Sequence, residues 1–119
     1  MKKFLILLAT LPIFFGCASE GELHTRTIKI TSEPAGAVIV VNNFRMGATP
    51  LAVEFESNEN GNFVKRNSIT ALPQSADLFT QIISFPAYTS ANPNASKIPS
   101  EITFIMTKSP KEEGGVLTK

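Results

Sequence analysis

The sequence predicts an all-β fold, a small antiparallel β-sandwich of about seven strands that follows an N-terminal signal peptide. Residues 27–31 and 51–56 alternate apolar and polar side chains, which is typical of half-buried strands. Turn-forming residues separate these and the other short apolar runs, and no run shows an unambiguous helical period. Short strands divided by turns, without a clear helix, favour two packed sheets.

The next predicted strand, residues 37–41, is apolar at every position, which indicates a central strand covered on both faces. Asn42 and Asn43 predict a tight turn, since Asn tolerates the left-handed conformation. Residues 44–46 then begin a return strand, and residues 47–50 form a second corner before the strand at 51–56.

The second half of the chain contains three further candidate strands. Residues 63–72 follow a turn at 57–62, with Ile69 and Ala71 facing inward and Val64 as a further inward candidate. Residues 78–85 fit a strand or one face of a helix, because short apolar runs do not separate the two periods. Strands on both sides favour a strand there, and residues 101–107 give the closing strand.

The N-terminus has the three parts of a secretory signal peptide. Lys2 and Lys3 are basic, residues 4–15 are mostly apolar, and Gly16 directly precedes Cys17, the one cysteine of the chain. The apolar run of about 12 residues is shorter than the ~20 that a helix needs to cross a bilayer.

A signal that ends in Gly-Cys resembles the signals of bacterial lipoproteins. The resemblance implies that residues 1–16 are removed and that Cys17 is acylated as the first residue of the mature protein. Several acyl chains hold a protein firmly at a membrane, whereas one chain does so only marginally. Ala18, rather than Asp, follows the cysteine, which in enteric-type lipoproteins implies the outer membrane. The alternative is a signal peptide cut elsewhere, with Cys17 as an unpaired thiol.

Composition divides the mature chain into three parts. Residues 17–25 are polar and suit a tether with lipidated Cys17, residues 26–108 form the β domain, and residues 109–119 are expected to be a flexible tail. Without Lys2 and Lys3, nine of the eleven basic residues remain against ten acidic ones. This balance argues against nucleic-acid binding, which needs a clustered basic face.

Residues 30–53 contain a spaced set of turn-forming and apolar residues: Ser32, Pro34, Gly36, Ala37, Ile39, Val41, Gly47, Thr49, Pro50 and Leu51. This set resembles the pattern of a PEGA domain, a small β-sandwich module of bacterial and archaeal surface proteins. The family pattern is Ser, x, Pro, x, Gly-Ala, alternating valines, a turn, then Gly, x, Thr-Pro-Leu. Ala35 stands in place of the family's glutamate, and Asn43 stands where the family usually has glycine. The resemblance implies a fold and a surface location, and it implies no common activity.

The chain offers few residues for catalysis. His24 is the one histidine and is expected to be a solvated side chain of the tether. Glu54 and Glu56 point the same way, ~7 Å apart, and are expected on a solvated strand face rather than as paired glycosidase carboxylates. Lys65 and Arg66 are expected on opposite faces of the sheet. We therefore expect no enzyme, no metal site and no cofactor.

The expected function is that of a non-catalytic, lipid-anchored envelope protein whose domain is an interaction or spacer module. Its partners would be membrane lipid, through acylated Cys17, and an envelope protein or cell-wall component. The expected location is the outer membrane, facing the periplasm, rather than the inner membrane. One alternative is a ligand- or saccharide-binding lipoprotein that uses residues 86–100, which include Tyr88. Another is an accessory subunit of an envelope assembly.

Overall fold

The computed structural model describes residues 24–119. The expected signal peptide, Cys17 and the first part of the tether lie outside the described residues. The described chain forms eight strands and one short 3-10 helix at Pro93–Ser96. The strands are β1 (His24–Glu33), β2 (Val38–Val41), β3 (Phe44–Ala48), β4 (Leu51–Ser57), β5 (Asn67–Leu72), β6 (Gln81–Phe85), β7 (Glu101–Ile105) and β8 (Val116–Thr118).

The strands form two four-stranded sheets that pack face to face. The first sheet has the order β4-β1-β7-β8 and the second has the order β3-β2-β5-β6. The predicted all-β sandwich is therefore confirmed, and the seven predicted strands correspond to β1–β7.

The core lies between the two sheets, where period-two alternation turns every second side chain inward. Phe63 is fully buried at its centre and contacts Phe55 edge-on, with ring centroids 5.5 Å apart, and Phe85 at 4.8 Å. The buried apolar residues are Ile28, Ile30, Ala37, Ile39, Val41, Val53, Phe55, Phe63, Ile69, Ala71, Ile98, Ile102, Phe104 and Met106.

One strand pair departs from the predicted antiparallel arrangement. β7 runs parallel to β1, with Lys29 opposite Glu101 and Glu33 opposite Ile105. The chain leaves β6 near Phe63, which bridges to Ser57 beside the start of β1. Because β7 enters from that same end, it must run in the direction of β1.

Two predictions about buried faces are wrong. Val38 and Val40 of β2 are half-buried, since no layer covers the outer face of the second sheet. Val64 is exposed, because buried Phe63 pairs with Ser57 of the first sheet and the chain must bend before it joins the second. β5 therefore begins at Asn67, beyond Lys65 and Arg66.

The segment 78–85 is a strand where it pairs with β5, from Gln81 to Phe85. Leu78 and Phe79 precede the strand, and the Phe79 amide donates a 2.8 Å hydrogen bond to the Met106 carbonyl. Pairing with β5 therefore makes this segment a strand, although its sequence also fits one face of a helix.

The prediction of a flexible tail over residues 109–119 is wrong for its last part. Val116–Thr118 form β8, which pairs antiparallel with β7, and Lys119 forms a 3.6 Å ion pair with Glu101. A short segment becomes a strand here because it satisfies the backbone groups along the outer edge of β7.

Two isoleucines on neighbouring strands differ in burial, so we expect truncation to alanine to affect the free energy of unfolding differently at each. Ile69 of β5 is fully buried, whereas Ile82 of β6 is 60% exposed. We expect Ile69→Ala to lower the free energy of unfolding by about 2–5 kcal/mol. Ile82→Ala should change it by about 0.5 kcal/mol or less. Urea unfolding of both variants checks this, and equal losses would contradict the described packing.

Candidate interaction site

The family-like residues meet in a buried hydrogen-bond network at one end of the sandwich. The Ser32 hydroxyl donates to the Pro34 carbonyl at 2.8 Å and lies 2.5 Å from the Thr49 hydroxyl. Since Ser32 uses its own hydrogen on Pro34, the Thr49 hydroxyl is the donor of the pair. Thr49 Oγ1 in turn accepts the amide N–H groups of Gly36 at 2.9 Å and Ala37 at 3.1 Å. Each hydroxyl thus donates one hydrogen bond and accepts at least one.

Backbone conformation explains the other residues of this corner. Gly36 has a φ of +101° and Gly47 a φ of +141°, a region that side-chain-bearing residues rarely adopt. The bonds before Pro34 and Pro50 are cis. The Gln74 side chain donates to the Gly36 carbonyl from outside the motif. We call this arrangement the Thr49 corner, and it joins the turn after β1 to the turn between β3 and β4.

The remaining residues of the motif have packing roles. Ala37 is buried beside the corner, and its carbonyl accepts the Thr49 amide at 2.9 Å. Leu51 begins β4 and packs against the core. The motif residues of the two turns are therefore brought together, and the hydrogen bonds of Ser32 and Thr49 hold the backbone there.

The predicted turn at Asn42 and Asn43 is confirmed. Both residues have positive φ, 50° and 74°. The Asn42 side chain donates to Asn67 Oδ1 at 2.8 Å, and its own Oδ1 accepts the Ser68 amide at 2.8 Å. The turn is thereby fixed to the start of β5, beside the opening of the cleft described next.

A cleft of about 660 Å³ lies between the edges of β3 and β4. Val53 and Phe55 of the core form part of its wall. Phe44 is 72% exposed and Met46 45% exposed, and both line the same space. The cleft thus offers apolar surface at an open side of the sandwich. The remaining lining residues are Val41, Asn42, Arg45, Glu54, Glu56, Lys65 and Asn67.

The structure brings together three charged residues that the sequence suggested separately. Glu54 and Glu56 are exposed on β4, as expected for a solvated strand face, and Lys65 lines the cleft with them. Lys65 lies in the loop before β5, so the expectation that Lys65 and Arg66 occupy opposite sheet faces is wrong. The apolar rim of Phe44 and Met46 was missed, because the strand period does not show that β3 is an edge.

His24 is not a tether residue. It begins β1 and stands opposite Ser57, because β4 is long enough to pair with residues 24 and 25. Its side chain is exposed. Within residues 24–119, no three His, Cys, Asp or Glu side chains come close enough to hold a metal ion. The same part of the chain has no helix with the length and apolarity needed to cross a bilayer.

Residues 86–100 are fixed to the end of the sandwich where β1 begins. Buried Asn62 donates through its side chain to the Pro93 carbonyl at 2.6 Å and to Ser96 Oγ at 3.0 Å. Ser96 is fully buried, and the Ile98 amide donates to the Gly61 carbonyl at 3.0 Å. Asn62 and Ser96 gave no sequence signal, since they lie far apart in the chain.

Near the start of this loop, Tyr88 contacts the core through its backbone and exposes its side chain. The Tyr88 amide donates to the Phe63 carbonyl at 2.9 Å, while the Tyr88 side chain is 40% exposed. The loop therefore caps the core through its backbone and its buried centre, and Tyr88 is the aromatic side chain that it presents to solvent.

A lowered pKa at Asp77 does not mark a reactive site. The Ser75 hydroxyl donates a 2.5 Å hydrogen bond to Asp77 Oδ1, and this bond holds the pKa of Asp77 below its ordinary value. Asp77 is exposed in the loop between β5 and β6 and does not line the cleft. The shift reflects a local turn contact.

The fold and the Thr49 corner define a small β-sandwich domain organised around a hydrogen-bonded chain reversal. Residues 25–62 match the family model described as "PEGA domain", so a PEGA domain is found there. The match spans β1–β4 and contains the predicted 30–53 segment, which confirms that resemblance. Neither a curated protein nor a solved structure matches the chain.

The Thr49 corner predicts a large effect for the loss of one hydroxyl. Thr49→Val keeps the side-chain shape but removes the hydroxyl that accepts hydrogen bonds from the Gly36 and Ala37 amides. We expect the free energy of unfolding to fall by about 1–3 kcal/mol. Thr49→Ser, which retains the hydroxyl, should lose less. Thr27→Val, at an exposed position of β1, is the matched control and should stay within about 0.5 kcal/mol. Equal urea midpoints for Thr49→Val and Thr27→Val would refute the role of this corner.

Proposed function

We propose that this chain is a non-catalytic, lipid-anchored protein of the bacterial cell envelope whose β-sandwich is an interaction or spacer module. The observation that carries the proposal is the PEGA domain at residues 25–62. Ser32 and Thr49 of its motif hold the backbone, and both hydroxyls donate and accept structural hydrogen bonds. Such residues support a module that holds or spaces a partner.

The anchor in this proposal is acylated Cys17, in a sequence context that resembles a lipoprotein signal. Six residues, 18–23, separate Cys17 from the start of β1. At ~3.3–3.6 Å for each extended residue, this tether spans at most about 22 Å. The membrane-facing end would then be the one that carries residues 57–62 and 86–100, and the Thr49 corner would point away. The proposed location is the outer membrane, facing the periplasm, because Ala18 follows the cysteine.

A saccharide- or ligand-binding role for residues 86–100 draws less support from the geometry. The buried centre of the loop directs its hydrogen bonds toward Gly61, Asn62 and Phe63, and its aromatic side chain at solvent is Tyr88. The loop therefore favours a capping role. The other alternative, an accessory subunit of an envelope assembly, is compatible with an interaction module. Crosslinking in intact cells would then give stoichiometric co-purification of the other subunits.

The anchor is tested by the substitution Cys17→Ser in the full chain. The unsubstituted protein should sediment with membranes and require detergent for release, since acyl chains and not charges hold it. Cys17→Ser should shift most of the protein to the soluble exported fraction. Ser19→Ala, two residues along the tether, is the control and should remain with the membranes. Membrane association of Cys17→Ser after a high-salt wash would contradict the anchor.

A further inference from the structure

The two open sides of the sandwich differ in how they are closed. Between β6 and β8, the side chain of Gln81 donates to the carbonyls of Ile105 and Lys108, at 3.1 and 2.6 Å. The Phe79 amide adds a hydrogen bond to Met106. These contacts join the two sheets across this side.

The opposite side is open and bordered by β3 and β4. β4 is the longest of the four edge strands, and it pairs with β1 from Leu51 to Ser57 without a break in register. Its outer side bridges to Phe63 at Ser57, so the open edge consists of residues 51–56. β3 is shielded by a bulge, where the register shifts between Ile39 and Val40. Long regular edges are uncommon in proteins, because their unpaired backbone groups accept strands from other chains.

The space beside this edge is suited to apolar side chains. Val53 and Phe55 of β4 turn inward and line the cleft, and Phe44 and Met46 stand exposed across from them. A strand added to β4 would turn every second side chain into this space. The 72% exposure of Phe44 would then be reduced by a partner, as at the apolar centre of an interface.

The charges on β4 indicate which partner fits. Glu54 and Glu56 are exposed on its outer face, and the β1 residues opposite them are the uncharged Thr27 and Thr25. Within residues 24–119, Lys119 forms an ion pair with Glu101, and this pair includes neither Glu54 nor Glu56. An antiparallel β4–β4 pairing between two copies would place glutamates beside glutamates, which is unfavourable.

We propose that a partner protein adds an extended strand to the free edge of β4, with apolar side chains in the cleft alternating with Lys or Arg beside Glu54 and Glu56. Arg45 and Lys65 line the cleft together with the two glutamates, so cationic side chains are favoured where they stand beside Glu54 and Glu56. The inference rests on the proposed role as an interaction module, and it does not require the anchor at Cys17.

The probe is a fluorescein-labelled peptide, Lys-Val-Lys-Ile-Lys-Val-Lys, titrated with the complete exported protein in detergent and followed by fluorescence anisotropy. The peptide Lys-Lys-Val-Val-Ile-Lys-Lys has the same composition without the alternation. A third peptide, Glu-Val-Glu-Ile-Glu-Val-Glu, keeps the alternation and reverses the charge. We expect the alternating basic peptide to bind about tenfold more tightly than either control. This difference is the order of magnitude that a few favourable cross-strand pairs contribute.

Charge reversal on β4 separates this site from general attraction to the protein. Glu54→Lys with Glu56→Lys should weaken the alternating basic peptide about tenfold and strengthen the acidic one. Glu112→Lys with Glu113→Lys makes the same change in net charge on exposed residues away from the cleft and should leave both affinities unchanged. Phe44→Ser, at an exposed position, should also weaken binding while the thermal midpoint of unfolding is retained.

Hydrogen exchange identifies the edge directly. Binding of the alternating basic peptide should slow amide exchange in residues 51–56 and leave residues 81–85 unchanged. Protection confined to residues 86–100 would overturn the inference in favour of a loop site. Failure of all three peptides to bind would also overturn it, and the membrane fractionation of Cys17→Ser would be unaffected by that result.

Discussion

The hydroxyl of Thr49 is the constraint on which the arrangement of both sheets depends. It accepts the amides of Gly36 and Ala37, where the chain passes from the first sheet to the second, and it contacts Ser32 at the end of β1. Thr49 itself lies where the chain returns from β3 to β4. One side chain therefore fixes the first two of the four crossings between the sheets, from β1 to β2 and from β3 to β4. A buried network of this kind stabilises a fold only when every member is satisfied, as Ser32 and Thr49 are.

The cleft is a consequence of the same corner. β3 and β4 meet at Thr49 and Pro50, and the residues that line the cleft begin several positions away on each strand, at Met46 and Val53. Away from the corner, apolar side chains are exposed between the two edges. The proposed interaction edge therefore adjoins the structural motif, and the PEGA match at residues 25–62 contains both strands.

Local signals in the sequence predicted the strands and turns of this fold. The alternation in residues 27–31 and 51–56 and the turn at Asn42 have causes within a few residues, so they can be recognised without the rest of the chain. The parallel pairing of β1 with β7 and the strand at Val116–Thr118 depend on partners far away in sequence. The motif residues were likewise predicted as a set, whereas the cleft was not. Exposure of Phe44 follows from the position of β3 at an edge, which only the topology determines.

The proposed function is that of a β-sheet module held at a membrane by acylated Cys17. Its most direct test is intact-mass spectrometry of the protein recovered from cell membranes. We expect a mature chain that begins at Cys17 and carries the added mass of several acyl chains. A chain that begins at another residue, or a Cys17 with an unmodified thiol, would contradict it.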